Sequence, residues 1–232
     1  MKVTVRGILF DMDGVLVSSL GSVERSWTTW AKKHGMDIAE AILTAHGRRA
    51  IETVRFLRPD LNAEEEQKFI EDLEVEDTEG LEVLGGVLPI LETLPEKYWT
   101  VVTSATDRLA RSRMKAGGIP VPSRMITADM VSKGKPDPEP YLRGAALLGQ
   151  KPEDCLVIED SASGARAGHA AGCKVLATLF SHTVESLDAA DWIVRSLEDV
   201  QFAQVNDAVE LEFEPVPRQA AAEAVAANTG KA

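Results

Sequence analysis

Cysteine is almost missing from this sequence: Cys155 and Cys173 are the only two, and neither sits at a C-x-x-C or other metal-ligand spacing. That excludes a disulfide framework and a thiolate-held metal, and leaves two reduced, buried thiols as the expectation. Also absent is any run of about 18 uncharged apolar residues, the length a membrane-crossing helix needs. The opening MKVTVRGILF has no long apolar core of the signal-peptide kind, so the expectation is a cytoplasmic chain that spans no membrane. Positive charge is in deficit, with 25 Lys and Arg against 37 Asp and Glu and a formal net charge of -12. Nucleic acid, bound mainly through Lys and Arg, is thereby excluded as a partner. Anionic metabolites are repelled at long range as well, so any phosphate site must rely on local cations and a metal. There is no internal repeat. His34, His169 and His182 have no partner at ligand spacing.

What the sequence does contain is an alternation. The apolar runs at Val5 to Phe10, Trp99 to Val102, Cys155 to Ile158 and Lys174 to Leu179 are rich in β-formers and stop abruptly at polar loops, as buried parallel strands do. Helical stretches separate them, at Arg108 to Ala116, Glu139 to Leu148 and Ala162 to Ala171. The pattern predicts an α/β fold with a Rossmann-like parallel sheet core, whose ligands bind beyond the carboxyl ends of the strands. From Ser18 to Val83 the alternation breaks and the chain reads as helical throughout. Val23, Trp27, Trp30 and Ala31 mark one face of a helix that Ser22 could cap and Gly35 could end, and the Trp pair is expected in a core. Further helices are expected near Arg49 to Leu57 and from Ala63 to Glu76, with Glu64, Glu65 and Glu66 on a solvated face. The division is therefore residues 1–17 and 84–213 as the α/β core, 18–83 as an inserted all-helical cap domain, and 214–232 as a loosely held tail.

Four stations carry chemistry, three of them where a predicted strand ends. Asp11-Met12-Asp13-Gly14 places two carboxylates one residue apart beside a glycine that lets both turn toward one cavity. A calcium loop would need further oxygen ligands where Val15, Leu16 and Val17 follow. Thr103-Ser104-Ala105-Thr106 supplies hydroxyls, Gly134-Lys135-Pro136-Asp137-Pro138-Glu139-Pro140-Tyr141 a lysine, and Glu159-Asp160-Ser161 a second acidic pair. In this order, these stations resemble the motifs of the haloacid-dehalogenase-like superfamily, and the resemblance covers residues 5 to 200.

That resemblance implies a phosphatase acting through an aspartyl-phosphate. Asp11 would be nucleophile and metal ligand. Asp13 would bind Mg2+ through its backbone carbonyl, with its side chain as general acid and then general base, and Asp160 would complete the protein's share of the metal. Glu159 would support that shell. Ser104, the Ala105 amide and Lys135 would hold the phosphoryl group. The need for cations is electrostatic, since a carboxylate at 4 Å from a phosphate charge is repelled by roughly 4 kcal/mol at an effective dielectric near 20.

The helical insert after the first motif matches the small cap of one branch of that superfamily, which closes over the site and excludes water. His46-Gly47-Arg48-Arg49 and Pro136 to Leu142 are similar to segments of the yeast-type glycerol-phosphate and deoxyglucose-phosphate phosphatases. Arg48 or Arg49 could contact a substrate hydroxyl or phosphate, and Glu24 a sugar hydroxyl; ordinary exposed helix positions are the competing reading for all three. His46 reads as structural. The expected substrate is a small phosphorylated metabolite, a sugar or polyol phosphate, and the expected state a monomer. The alternative is a sugar phosphomutase of the β-phosphoglucomutase type, which carries a His where Val23 lies here and a Lys where Asp107 lies.

Overall fold

The computed structural model describes residues 1–218. The chain opens with β1 (Lys2–Val5) and β2 (Gly7–Phe10), where the apolar pattern predicts one strand from Val5 to Phe10. The break at Arg6 has a physical cause. Lys2–Val5 alternates exposed and buried residues, as a half-covered antiparallel strand does, whereas all four residues of Gly7–Phe10 are buried. Arg6 N–H leaves the ladder to donate to the Asp154 carbonyl at 2.7 Å.

Strand β2 is the second of five in a parallel sheet. After β3 (Val17–Ser18) the chain runs through helices α1 (Leu20–Lys33), α2 (Ile38–Ala45), α3 (Ala50–Leu57) and α4 (Ala63–Glu76), and returns by β4 (Glu82–Val83) and α5 (Val87–Thr93). It continues with β5 (Trp99–Val101), α6 (Asp107–Ala116), α7 (Glu139–Leu147), β6 (Cys155–Glu159), α8 (Ala162–Ala170), β7 (Lys174–Thr178) and β8 (Trp192–Val194). The sheet order is β5-β2-β6-β7-β8, all parallel. Side chains alternate between two apolar layers: Ile8, Phe10, Leu156 and Ile158 enter one, and Leu9, Val157, Val175 and Ala177 the other. Burial on both faces explains why these strands read as unbroken apolar runs.

A second sheet was not anticipated. Strands β9 (Gln201–Val205) and β10 (Ala208–Glu212) form a hairpin whose β10 pairs antiparallel with β1. Strand β9 is mostly exposed, so it carries no apolar run to signal it. The tail expected over 214–232 lies outside the described residues from 219 onward; before that, Val216 N–H donates to the Ile193 carbonyl at 2.7 Å.

Helices α1–α4 gather around their own apolar cluster, with Trp27 and Trp30 edge to face at a centroid distance of 5.3 Å. Helix α1 begins at Leu20, so Ser22 lies inside it rather than at its cap, its buried hydroxyl without a hydrogen-bond partner among the described residues. Helix α2 was missed; Asp37 caps it by accepting the Glu40 N–H. The two-stranded ribbon β3–β4 closes the entry and exit of this segment, Val17 opposite Val83, where helix had been expected. Glu66 departs from the solvated reading, because it accepts from the Trp30 indole at 2.9 Å and pairs with Lys33 and His34.

Candidate active site

The stations converge because β2, β5 and β6 are parallel neighbours and end at one edge of the sheet. Asp11 still follows the ladder, its N–H donating to the Ile158 carbonyl at 2.9 Å. The chain then curls. Leu16 and Val17 N–H groups return to the Met12 carbonyl, and Gly14 adopts a φ of 81°. A β-carbon on Gly14 would overlap the Asp160 carboxylate, so both its conformation and its bareness are needed here. Asp11, Asp13, Ser104, Ala105 and Asp160 line one cavity.

Lys135 reaches the centre from the loop before α7. Its Nζ lies 2.8 Å from Asp11 Oδ1 and 2.7 Å from Glu159 Oε1, and it is buried. Glu159 Oε1 accepts also from the Tyr141 hydroxyl at 2.8 Å, and its Oε2 accepts from the Asp160 and Ser161 amides and the Ser161 hydroxyl. Five donors fill the lone pairs of that carboxylate. Burial alone would raise the Glu159 pKa, but Lys135 and these donors outweigh it and hold the group below the usual range. For Lys135, burial disfavours the charge, yet Asp11 and Glu159 outweigh burial and hold the ammonium protonated.

Carboxylate oxygens of Asp11, Glu159 and Asp160 all lie within 4.8 Å of one another. Burial, and then the charge of Glu159, push the Asp11 carboxyl up to about 7, against the opposing pull of Lys135. Burial and the charges of Glu159 and Asp11 likewise raise Asp160 well above its ordinary value. Three buried acids share one lysine, so the pocket carries more negative charge than its own cation offsets, and a bound cation fits that deficit. Asp160 is further held by the Ser181 hydroxyl, itself 2.7 Å from His182 Nδ1. Ser181 was not singled out in the sequence and His182 was assigned no chemistry there; both follow β7 without a motif.

The remaining expectations fare differently. Ser104 lines the cavity with its hydroxyl toward the Gly47 carbonyl at 3.4 Å, so the loop after α2 sits directly over it. The Ala105 amide donates to the Thr103 hydroxyl at 3.1 Å, a partner the sequence reading overlooked. Arg49 bridges Glu52 and the Ser132 carbonyl, and Glu52 accepts the Gly134 amide, tying α3 to the lysine loop. Arg48 lines the cavity; Glu24 is exposed on α1 and does not, because Leu20, Val23 and Trp27 form that helix's inward face. His46 lines the cavity with Nε2 buried and unpartnered among the described residues.

Arg113 escaped notice. It is buried on α6 in a face otherwise made of Leu109, Ala110 and Met114. Its Nη1 lies 2.9 Å from Asp13 Oδ1, and its Nη2 3.4 Å from Glu74 Oε2 of α4. Burial pushes Glu74 up to about 7, with Arg113 opposing. An arginine at helical spacing within an apolar stripe was the available signal.

Comparison with known proteins gives this geometry a family. Residues 5–172 match the haloacid dehalogenase-like hydrolases. The chain is 40% identical over 200 residues to hexitol phosphatase A of Escherichia coli (strain K12), covering 84% of this chain and 93% of that one. It is 33% identical to glycerol-1-phosphate phosphohydrolase 2 of Saccharomyces cerevisiae, over 92% of this chain and 91% of that one. A crystal structure of β-phosphoglucomutase from Clostridium difficile superposes with a TM-score of 0.72 at 20% identity, covering 85% of this chain and 93% of that one, a likeness of fold alone. On a match that takes in all four motif loops and relatives alike along most of their length, the chain belongs to the haloacid dehalogenase-like hydrolase family.

Proposed function

We propose that this chain is a magnesium-dependent phosphatase that hydrolyses small sugar or polyol phosphate monoesters through an aspartyl-phosphate on Asp11. The observation that carries the reading is Lys135 clamped between Asp11 and Glu159 beside Asp160, a cluster of buried charge that folding alone does not call for. The names of the relatives, hexitol phosphatase A and glycerol-1-phosphate phosphohydrolase, support a polyol phosphate as substrate. No helix among the described residues is long and apolar enough to cross a membrane.

Asp11, Asp160 and the Asp13 carbonyl would hold the metal, while Glu159, its lone pairs already filled, would orient Lys135 and the Asp160 backbone. When bound, Mg2+ supplies charge stabilisation at the phosphoryl oxygens. Ser104, Lys135 and the Ala105 amide, once that amide turns from Thr103, hold the phosphoryl group. An Asp11 oxygen attacks phosphorus, the bond to the ester oxygen breaks, and Asp13 delivers its proton to that oxygen. Asp13 then takes a proton from water, which attacks phosphorus, breaks the Asp11 O–P bond and releases inorganic phosphate. The loop around Gly47, seated on Ser104 and Ser163, excludes bulk water during the attack. The Asp13 carboxylate has both its hydrogen bonds, from Ser19 and Arg113, on Oδ1; Oδ2 has no partner among the described residues and is the proton carrier.

Nothing in the cavity favours a mutase. Val23 presents an apolar side chain where such mutases carry a histidine, and Asp107 pairs with Arg111 away from the cavity lining. The test is a panel of hexitol, glycerol and hexose phosphates assayed with magnesium and with chelator. We expect metal-dependent release of phosphate, abolished in Asp11→Asn. Near-normal turnover by that variant would overturn the assignment of the nucleophile.

A further inference from the structure

We propose that Arg113, ion-paired with Glu74 of the inserted helices, is a positioning residue that aims the Asp13 carboxylate at the leaving-group oxygen. The inference rests on the phosphatase reading and goes beyond it. Arg113 belongs to α6, which follows the Ser104 loop, while Glu74 comes from α4 in the insert. The guanidinium therefore touches the candidate acid on one side and the cap on the other, at 2.9 Å and 3.4 Å. Its contact lands on Asp13 Oδ1, as does that of the Ser19 hydroxyl at 2.7 Å. Two donors on one oxygen fix the carboxylate's rotation and leave the other oxygen to carry the proton.

Burial makes this more than a surface ion pair. Arg113 and Glu74 are 4% and 7% exposed, and Arg113 Nε and Nη2 have no hydrogen-bond partner among the described residues. A desolvated guanidinium with unfilled donors is costly to fold around, and apolar packing on α6 would be cheaper. The arrangement has a use if Arg113 must stand at one place relative to Asp13. Helix α4 is set on α6 by two parallel contacts, Glu71 on the Thr106 hydroxyl at 2.7 Å and Asp72 on Arg108. Seating the inserted helices thus brings Glu74 to Arg113, and Arg113 holds the acid in line. Glu74 also balances the arginine's charge within the pocket.

The experiment compares kcat/KM for two esters, because that ratio reports steps only up to formation of the aspartyl-phosphate. An alkyl ester such as glycerol 1-phosphate needs a proton on its leaving oxygen; p-nitrophenyl phosphate does not. In Arg113→Gln we expect kcat/KM for the alkyl ester to fall roughly 10²-fold and for the aryl ester by less than about 3-fold, since leaving-group protonation is the step lost. Glu74→Gln, which leaves Arg113 in reach of Asp13, is expected to shift the same ratio by about 10-fold, and it serves where Arg113→Gln does not fold. Arg113→Lys should recover part of the alkyl activity. A purely structural role would lower both esters together, and that result, or an unchanged ratio in both folded variants, overturns the proposal. Wild-type protein that hydrolysed neither ester with magnesium would instead overturn the phosphatase reading on which it stands.

Discussion

Asp11, at the end of β2, and Val23, on α1, line the same cavity, and their surroundings differ in kind. Around Asp11 the sheet edge packs three acids, a lysine and a tyrosine into a network of ion pairs and hydrogen bonds. Around Val23 the inserted segment presents the apolar Leu20, Trp27, Ala45 and Ile51 among the polar His46, Arg48, Arg49, Gln67, Glu71 and Glu74, and Arg113 of α6 joins them. The first surface cannot change one group without disturbing its neighbours, because each charge is balanced by the next. The second can exchange one apolar side chain for another and keep its fold. On the proposed function, reaction chemistry resides at the strand ends, and the choice of the ester's organic half falls to the helices.

The comparison breaks most readily at Gly164. A β-carbon there would overlap the Glu159 carboxylate, so Gly164→Ala must displace Glu159 and with it Lys135. Shifting a reacting group by about 1 Å costs on the order of 10²-fold, and we expect that loss in kcat/KM, measured alongside the melting temperature. A loss below several-fold would show the network to be more pliant than its burial implies.

The charge imbalance gives a second prediction, of intermediate size. Asp11 and Glu74 both have carboxyls raised to about 7 by burial, above the ordinary 3.8 and 4.5. Folded protein therefore binds more protons than unfolded protein between those values and about 7, and the metal-free protein loses stability as pH rises through that window. Thermal melts with chelator at pH 5 and pH 8 should show the lower Tm at pH 8, with magnesium recovering much of the difference. Equal melting temperatures would mean that the cluster bears its charge without a cation.

The smallest effect is expected at the far end of the helical insert. The Asn62 side chain accepts the Glu64 and Glu65 amides and caps α4. Asn62→Ala should cost about 1 kcal/mol in denaturant titration and leave kcat/KM unchanged. A fall in activity would show that α4 transmits its position to Asp13 even from its first turn.

Much of this was legible in one dimension. The parallel strands announced themselves because burial on both faces leaves an unbroken apolar run, and their polar ends marked Asp11, Ser104 and Glu159-Asp160 as neighbours in space, with Lys135 joined to them by its motif. Strands β9 and β10 were missed for the opposite reason, since β9 is largely exposed and β10 only half buried. Helix α2 went unread because, unlike α3 with Pro59 behind it, its eight residues have no helix-stopping proline to mark their end. Arg113 hid as one more basic residue in Arg108-to-Lys115, a stretch whose other cations face solvent.

By itself the sequence determined the kind of chemistry, because residue types at strand ends need only a parallel sheet to bring them together. It also determined that a helical unit follows the first motif. Only the tertiary structure decided which residues of the inserted helices face the cavity, that Glu24 does not, that Glu159 has no lone pair to spare, and that Arg113 stands between Asp13 and Glu74. Those outcomes depend on how helices rotate and seat on the sheet, and contacts between residues about 40 to 100 positions apart leave no periodic trace in the chain.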